Sequence, residues 1–400
     1  MIQQNPLFTP ECEWRPEPLS ALPSWADARR VAIDLETKDP QLTTLGPGVR
    51  RDGHVIGYSF AIEDGPAHYV PIRHEGGDNL DPVAAMAYLK QQAKAFKGTL
   101  VGANMQYDLD YLAEEGIVFR DVAWFRDIQV AEPLIDELQF TYSMDAIAKR
   151  RGIAGKYEDD LRDAADAYRI NPKSEMYLLP ARYVGKYAIV DTRLPLDIMR
   201  RQERDIEEQD LWEVFNLESR VLPVCVKMRR RGVRISFERL EKVERWAMEE
   251  GLKQLAFVKS ETGVDVGIDN VWVAEALAKV LDRIGVTVPH TEKTNKPSIK
   301  GDFLDKLEHP VADALKRARK VDKLRTTFAA SIRRHAVGDR IHCTFNQLRS
   351  VKEDGDEKGA RYGRLSSTDP NLQQQPSRDD FAPMWRSIYM PDEGGLWCAA

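Results

Sequence analysis

Two carboxylates stand one residue apart in the apolar run "VAIDLETK" of residues 31–38. Because successive side chains of a strand point to opposite faces, Asp34 and Glu36 are expected to share one face with Ala32. Carboxylates that close repel each other unless a positive charge, such as a divalent metal ion, lies between them. The alternative is a solvent-facing strand, and the chain has a second Asp-x-Glu triplet, Asp205–Glu207, in a stretch typical of a solvated helix. The triplet alone leaves both interpretations open.

Two further motifs each place a polar residue and an aspartate one helical turn apart. In "LVGANMQYDLDYL", Asn104 lies where a strand ends and a helix begins, which suits an N-cap, and Asp108 follows on the same face. In "ARYVGKYAIVDTRL", Tyr187 and Asp191 have this spacing among apolar residues that favour a buried helix. A buried aspartate and a buried tyrosine hydroxyl each need a partner. Taken alone, Asp108 also fits an ordinary first-turn carboxylate and Tyr187 an ordinary core residue.

The first half of the chain contains the elements that must position these residues. Residues 28–70 alternate short apolar runs with turn residues and predict a meander of three strands. Asp81 and Pro82 predict the start of a helix, "GTLVGAN" predicts a short buried strand, and helical patterns dominate from residue 122 to about 218. Strands followed by helices, with a βα crossover, predict an α/β domain with a mixed sheet.

The second half predicts long helices and then short strands. A helix is expected to stop at Gly232, and a long amphipathic helix follows in "FERLEKVERWAMEEGLKQLAFVKSETG". Residues 316–334 form a basic helix with eight basic residues and one acidic residue, and residues 227–234 are a second basic stretch. Each basic stretch fits either phosphate contacts or a solvated helix face. "GDRIHCTFNQL" and "RYGRLSS" then predict two strands.

Bulk properties limit the class of protein. The formal net charge is −6, and no apolar run reaches the roughly 18 residues that a membrane span needs. The four cysteines are far apart and form no CxxC motif, which favours free thiols in a reducing compartment. The Pro-rich N-terminus lacks a signal sequence and predicts an extended arm. These features predict a cytoplasmic protein that does not bind a membrane.

The order Asp-x-Glu, Asn-x-x-x-Asp and Tyr-x-x-x-Asp resembles the DEDD superfamily of 3′–5′ exonucleases, in the subgroup with tyrosine in the third motif. The resemblance implies a ribonuclease H-like mixed sheet flanked by helices, and two divalent metal ions, Mg²⁺ or Mn²⁺. Asp34, Glu36 and Asp191 would hold the first ion, while Asp34 would bridge to the second, which Asp108 would reach through water. Tyr187 would orient the attacking water. Single-stranded DNA would present its 3′ end to the site, with Thr37 touching the terminal nucleotide and Asn104 also contacting the DNA.

This sequence departs from that superfamily at two positions. Ala103 stands where histidine commonly precedes the asparagine, and Ile128 stands after Asp127 where threonine is usual. Neither position belongs to the acids, so we expect altered substrate contacts with the chemistry retained.

The stretch "RYGRLSSTDPNLQQQPSR" at 361–378 closely resembles the motif at the start of the palm in family A DNA polymerases. "GHVIGYSFAIEDGPAHYVPIRH" resembles a strand pair of their proofreading domains, and "KLRTTF" and "GDRIHCTFNQ" resemble their thumb and palm. The resemblance implies a mainly helical thumb region and an incomplete palm that bind a primer-template duplex. The residues implied in DNA contacts are Lys323, Arg325, Asn346, Gln347, Arg364, Asn371 and Gln373.

Four regions follow from these resemblances: an N-terminal arm at 1–27, an exonuclease domain at 28–208, a thumb-like region at 209–340 and the start of a palm at 341–400. The family's first polymerase aspartate would follow a strand resembling "GGLWCAA", and no such motif occurs in the chain. We therefore expect an unfinished sheet edge, and polymerisation only with a second polypeptide that supplies the remaining palm and fingers. Two alternatives stay open: a non-catalytic DNA-gripping subunit of a split polymerase, and a self-sufficient nuclease resembling ribonuclease D.

Overall fold

The computed structural model describes residues 9–299, 303–347, 350–351, 357–358 and 363–397. The strands are β1 (Arg30–Lys38), β2 (His54–Ile62), β3 (Ala67–Pro71), β4 (Thr99–Gly102), β5 (Trp124–Asp127), β6 (Val233–Ile235), β7 (Ala336–Val337), β8 (Arg340–Ile341), β9 (Thr344–Asn346), β10 (Ser350–Val351), β11 (Glu357–Lys358), β12 (Ser366–Thr368) and β13 (Tyr389–Met390). The α-helices are α1 (Leu42–Leu45), α2 (Pro82–Ala95), α3 (Met105–Glu114), α4 (Ile128–Ile135), α5 (Met144–Arg150), α6 (Asp159–Tyr168), α7 (Gly185–Glu208), α8 (Trp212–Arg231), α9 (Phe237–Thr262), α10 (Ala274–Arg283), α11 (Pro310–Lys323), α12 (Ala330–His335) and α13 (Ala382–Arg386).

The chain forms two compact units. Unit 1 consists of Met1–Gly232 and His342–Gln373, and unit 2 consists of Val233–Ile341 and Gln374–Ala400. Unit 1 therefore includes α8 and the strand pair β9–β12, which the sequence assigned to the thumb-like and palm regions. The boundary predicted at 208 lies before the end of the first segment of unit 1 at Gly232, whereas the one predicted at 340 is one residue from the return to unit 1 after Ile341. The four-region division stays a prediction.

The main sheet of unit 1 has the strand order β3-β2-β1-β4-β5. β1 pairs antiparallel with β2, as β2 does with β3, whereas β1 with β4 and β4 with β5 pair in parallel. The predicted α/β class with a mixed sheet flanked by helices is confirmed. The expectation of helical structure from residue 122 onward was wrong at β5, because a strand of four residues is too short to show a period.

The two faces of β1 pack against different layers, as the alternation of its side chains predicts. Val31, Ile33 and Leu35 belong to a core with Trp25 and the helix α2. Ala32 belongs to the opposite core, which contains residues of α4, α5 and α7. The helix α7 packs across β1, β2 and β3 on this second face. Asp34 and Glu36 share the face of Ala32 and therefore point toward the layer that contains α7.

The N-terminal arm fixes the start of α7. A Cβ atom on Gly185, the first residue of that helix, would lie 2.2 Å from the Trp14 ring. Tyr183 donates a hydrogen bond to the Pro10 carbonyl at 2.8 Å, and Cys12 Sγ donates to the Arg182 carbonyl at 3.1 Å. Glycine at position 185 is required for this close approach, so residues 10–14 of the arm are packed against unit 1.

Unit 2 is mainly helical, as predicted. α9 packs against α11, and their shared core includes residues such as Leu255 and Leu315. The predicted basic helix is present but changes its winding, since a π-helix at Leu324–Ala329 separates α11 from α12. A small sheet has the order β13-β6-β8-β7. Within the predicted strand at 396–400, Leu396 and Trp397 belong to no strand, and 398–400 lie outside the described residues.

The other bulk expectations concern the membrane and the thiols. No helix within the described ranges is both long and apolar enough to cross a membrane. Cys12, Cys225 and Cys343 are free thiols, as expected, and Cys398 lies outside the described part of the chain. The cytoplasmic location stays a prediction.

Candidate active site

Three acids from two elements of unit 1 converge into what we call the acid cluster: Asp34 and Glu36 of β1 and Asp191 of α7. One carboxylate oxygen from each lies within 4.8 Å of the other two. Glu36 is 8 % and Asp191 4 % exposed, and Asp34 is partly exposed. The convergence follows from the fold, because α7 crosses the face of β1 to which the alternation directs both strand acids.

Asp108 lies beside this cluster, in the first turn of α3, and is 4 % exposed. Its pKa is raised well above the ordinary value by burial and then by the Asp34 carboxylate. Hydrogen bonds from backbone N–H groups, including that of Leu35, act in the opposite direction. Asp108 therefore lies near Asp34. It is not one of the three acids whose carboxylate oxygens lie within 4.8 Å of one another.

The acid cluster holds strongly unfavourable charge. Burial, followed by the Asp191 carboxylate, raises the pKa of Asp34 to about 8. Burial and the carboxylates of Asp34 and Asp191 raise the pKa of Glu36 well above its usual range. Glu36 Oε1 and Asp191 Oδ1 are buried without a hydrogen-bond partner. Buried carboxylate oxygens without partners are costly, so this arrangement suits a bound cation.

Tyr187 and a lysine that the sequence analysis missed border the acid cluster. Lys156 Nζ donates a hydrogen bond to Asp191 Oδ2 at 2.7 Å and another to Tyr187 Oη at 3.2 Å. A hydrogen bond with Tyr187 also lowers the pKa of Asp191, whereas burial raises it more strongly. Lys156 precedes α6 in an irregular segment, so no periodic pattern marks it in the sequence.

Asn104 occupies the N-cap position of α3, but it does not cap the helix through its side chain. Its φ is 57°, and its side chain makes no capping hydrogen bond. Asp127 caps instead, since its Oδ2 accepts from Met105 N at 2.7 Å and its Oδ1 accepts from Gln129 N at 2.8 Å. One carboxylate at the end of β5 thus serves the N-termini of both α3 and α4. The capping role predicted for Asn104 was wrong, and its side chain lines a cavity.

This cavity, of about 440 Å³, lies within unit 1. Thr37 Oγ1 and Tyr107 Oη are 2.7 Å apart, and Tyr107 and Tyr111 both donate to Asp39 Oδ2. Gln347 bridges the opposite wall, donating to Glu218 Oε2 at 2.7 Å and accepting from Gln106 at 3.1 Å. The sequence predicted contacts with a single-stranded 3′ end for two of the lining residues and with a primer-template duplex for two others. The structure places all four in the lining of one cavity: Thr37, Asn104, Asn346 and Gln347.

Three predicted DNA-contact residues of unit 1 lie outside the lining of this cavity: Arg364, Asn371 and Gln373. All three are exposed. Asn371 Oδ1 accepts from Gln373 N at 2.9 Å, and Gln373 Nε2 donates to the Leu365 carbonyl at 3.0 Å. The two amide side chains therefore stabilise the turn that follows β12.

The remaining two predicted contacts, Lys323 and Arg325, lie in unit 2 at the junction of α11 and the π-helix. Lys323 is exposed. Arg325 donates to Asp322 Oδ1 at 2.9 Å, and Asp322 also accepts from Trp272 Nε1 at 2.8 Å. Lys323 is thus available to a ligand, whereas Arg325 is engaged within its own unit.

Two arginines of the basic stretch at 227–234 have a structural role in unit 1. Arg229 and Arg230 both form ion pairs with Asp110, which is fully buried, at 3.3 Å and 3.1 Å. Arg230 also pairs with Glu114. These arginines attach α8 to α3, so neither of the two functions considered from the sequence describes them.

Comparison with known proteins identifies relatives over almost the whole chain. It is 56% identical to a DNA-directed DNA polymerase of Pseudomonas phage M6, over 99% of this chain and 60% of that protein. It is 30% identical to the DNA polymerase DpoZ of Acinetobacter phage SH-Ab 15497, over 94% of this chain and 61% of that protein. The chain thus spans about 60% of the length of these curated relatives.

Two further comparisons concern the fold and the family. The solved structure described as "POL domain of Pol1 from M. smegmatis complex with DNA primer-template and dNTP" is similar with a TM-score of 0.64 at 19% identity, covering 92% of this chain and 56% of that one. Residues 249–400 match the family model for DNA polymerase family A. This match shows that residues 249–400 belong to DNA polymerase family A, and the relatives above extend the similarity to DNA polymerases over almost the whole chain.

Proposed function

We propose that unit 1 carries the proofreading centre of a family A DNA polymerase, a metal-dependent 3′–5′ exonuclease. The observation that carries the proposal is the acid cluster, in which buried oxygens of Glu36 and Asp191 have no partner. Carboxylates this close together raise one another's pKa values, and their charged forms are unfavourable unless a cation is bound. A fold that nevertheless concentrates them supports a site that works with cations bound.

The donor set fits Mg²⁺ or Mn²⁺. The cluster offers carboxylate oxygens, which these hard ions prefer, and contains no thiolate or imidazole. Asp34, Glu36 and Asp191 would hold one ion, and Asp34 and Asp108 a second. Two such ions, when bound, supply charge stabilisation for the entering and leaving oxygens of a phosphodiester.

The protein's own groups bind and orient the reactants. The cavity lined by Thr37 and Asn104 would receive the 3′-terminal nucleotide, and the Tyr187 hydroxyl would hold the attacking water. In the reaction, the water oxygen bonds to phosphorus and the bond to the preceding 3′ oxygen breaks. The water loses a proton and the leaving oxygen gains one. The products are a nucleoside 5′-monophosphate and a strand shortened by one residue with a 3′ hydroxyl.

The substrate we propose is DNA, because the relatives at 56% and 30% identity are named as DNA polymerases. Exposed residues of each unit would contact a primer-template duplex through its backbone, which positions the duplex without reading its sequence. Lys323 is the strongest candidate in unit 2, and Arg325 would first have to leave Asp322. The candidates in unit 1 are Arg364, Asn371 and Gln373.

The test is degradation of 3′-labelled single-stranded DNA in the presence of Mg²⁺. Asp34→Asn should abolish the release of labelled nucleotide. The second Asp-x-Glu triplet offers a matched control, because Asp205 forms an ion pair with Arg151. Asp205→Asn should leave the rate within about twofold of the wild-type rate, because Asp205 is partly exposed and does not belong to the acid cluster. Equal rates in wild type and Asp34→Asn, or cleavage unaffected by EDTA, would contradict the proposal. RNA of the same sequence tests the ribonuclease D-like alternative.

A second polypeptide that completes the polymerase stays a prediction from the sequence. Co-elution with a chain that supplies the remaining palm and fingers, and primer extension by the mixture, would support it. DNA binding without any nuclease activity would instead favour the non-catalytic DNA-gripping subunit.

A further inference from the structure

Lys156 is a partly buried cation in contact with the proposed site, and the proposed reaction gives it no role. It lies between α5 and α6, and its side chain is 18 % exposed, whereas that of its partner Asp191 is 5 % exposed. Its ammonium group donates to Asp191 Oδ2 and Tyr187 Oη, and lies 5.0 Å from the centre of the Tyr187 ring. Burying a lysine side chain costs free energy that an ordinary surface ion pair would avoid.

The two oxygens of Asp191 have different surroundings. Oδ2 accepts the hydrogen bond from Lys156, while Oδ1 is buried without a partner and belongs to the residue that completes the acid cluster. The contact thus fixes the rotation of the carboxylate and leaves one oxygen for a cation. The same ammonium group holds the Tyr187 hydroxyl, which lies one helical turn before Asp191.

We propose that Lys156 is a positioning residue of the exonuclease centre, which holds the Asp191 carboxylate and the Tyr187 hydroxyl in the orientation that the cleavage step needs. The inference rests on the proposed function. Lys156 acts through these two side chains, as partners of metal ligands commonly do.

Charge gives Lys156 a second effect that can be measured without any reaction. Its ammonium group lies 2.7 Å from an oxygen of Asp191, beside the close-set carboxylates of Asp34, Glu36 and Asp191, which repel one another. In metal-free protein Lys156 therefore offsets part of this repulsion. Without it, the apoprotein should be less stable and should gain more stability when a divalent ion binds.

The experiment compares three variants of the full chain. Lys156→Met removes the charge and both hydrogen bonds but keeps an unbranched side chain of similar length, and Lys156→Arg keeps a cationic donor. The matched control is Lys186→Met, since Lys186 pairs with Asp160 at 2.9 Å and is 44 % exposed. The readouts are kcat and KM on 3′-labelled DNA, and the melting temperature in EDTA and in excess Mn²⁺.

We expect Lys156→Met to lower kcat roughly 10–100-fold, the range for loss of a partner of a metal ligand, with little change in KM. Lys156→Arg should recover most of this loss, and Lys186→Met should match wild type. The Mn²⁺-induced rise in melting temperature should be larger for Lys156→Met than for wild type. An unchanged kcat in Lys156→Met, or Lys156→Arg as impaired as Lys156→Met, would overturn the inference.

The thermal readout separates the two proposals. If wild type cleaves no DNA, the proposed function fails, but the EDTA and Mn²⁺ comparison still tests Lys156. A larger Mn²⁺ shift for Lys156→Met would then support its role at a cation site, and equal shifts in the two proteins would overturn that role.

Discussion

The acid cluster of unit 1 and the basic helix of unit 2 carry opposite charge and differ in how far that charge is compensated. In unit 1, oxygens of Glu36 and Asp191 are buried without partners. In unit 2, most of the basic side chains from α11 to α12 have acidic partners within the unit. The pairs are Lys316 with Asp313, Arg317 with Glu250 and Asp380, Lys320 with Asp379, Arg325 with Asp322, and Arg333 with Glu244.

The difference shows what a list of charged residues cannot reveal. Both regions are conspicuous in the sequence, and both suggest a charged ligand. Charges that the fold pairs internally contribute to packing and modestly to stability. Charged groups that the fold brings together without partners indicate a ligand-binding site. On this criterion the acid cluster is the better supported site, and Lys323 is an exposed basic residue of unit 2 that is open to a ligand.

The largest expected effect is on DNA cleavage. The double variant Asp34→Asn/Glu36→Gln should lower the rate by about a thousandfold or more, because metal ions supply several kcal/mol of charge stabilisation. Arg317→Gln/Lys320→Gln, which removes compensated charges, should change the rate by less than about threefold. Release of 3′ label measures both. Similar losses in the two double variants would show that the uncompensated acids matter no more for cleavage than the compensated basic residues.

The next effect is on the pH dependence of stability in EDTA. The folded protein raises the pKa of Asp34 from 3.8 to about 8 through burial and then through Asp191. Between these values the folded state holds a proton that the unfolded chain has lost, so the free energy of unfolding should fall as pH rises. Urea denaturation at several pH values measures this fall.

Two further measurements test the same pKa assignment. Asp34→Asn cannot ionise, so the variant should lose less stability between acidic and mildly alkaline pH. Excess Mg²⁺ should raise the stability of wild type most at the alkaline end, where the acids are charged. Stability that rises with pH in EDTA and is unaffected by Asp34→Asn would contradict the charge assignment.

A smaller effect, on the free energy of unfolding, is expected when Arg317, a basic residue with acidic partners, is replaced. Arg317 pairs with Glu250 at 3.2 Å and with Asp380 at 2.6 Å, and it lies over the rings of Trp246 and Phe381. Arg317→Ala should lower the free energy of unfolding by about 1 kcal/mol, since such pairs and cation–π contacts are individually modest. Urea denaturation measures the change. A tenfold loss of DNA affinity with unchanged stability would assign Arg317 to the ligand instead.

The smallest expected effect distinguishes two neighbouring basic residues, Lys323 and Arg325. Lys323→Ala should weaken primer-template binding a few-fold and reduce the salt slope by about one, as loss of one phosphate contact does. Arg325→Ala should change affinity less, because Asp322 already engages that guanidinium group. Fluorescence anisotropy over a salt series measures both. The reverse order of the two variants would show that Arg325 leaves its partner on binding.

Local periodicity was sufficient for several of these conclusions. The period of two in β1 predicted that Asp34 and Glu36 share a face, and the meander, the start of α2 at Asp81 and the end of α8 before Gly232 were also predicted. The spacing of four in α7 placed Tyr187 and Asp191 together, although their catalytic roles stay a proposal. Each of these features depends on one element or one turn, where pattern and geometry are directly linked.

Features that depend on how the chain returns to itself could not be predicted. Lys156 and Asp191 are 35 positions apart and meet only because the segment before α6 passes beside α7. Asn346 and Gln347 join a cavity with Thr37 because the chain returns to unit 1 after residue 341. Asp127 lies 22 positions from the helix start that it caps. Such contacts follow from topology, which the local sequence does not record.

The packing of Trp14 against Gly185 has a practical consequence for dissecting the molecule. The segment before β1 contacts the residues that lead into α7, and α7 carries both Tyr187 and Asp191. A truncation that starts at the first strand would expose an aromatic-sized gap at that point, and would leave the alignment of two catalytic candidates to a frayed helix end. Minimal fragments intended for enzymology should therefore retain residues 9–29.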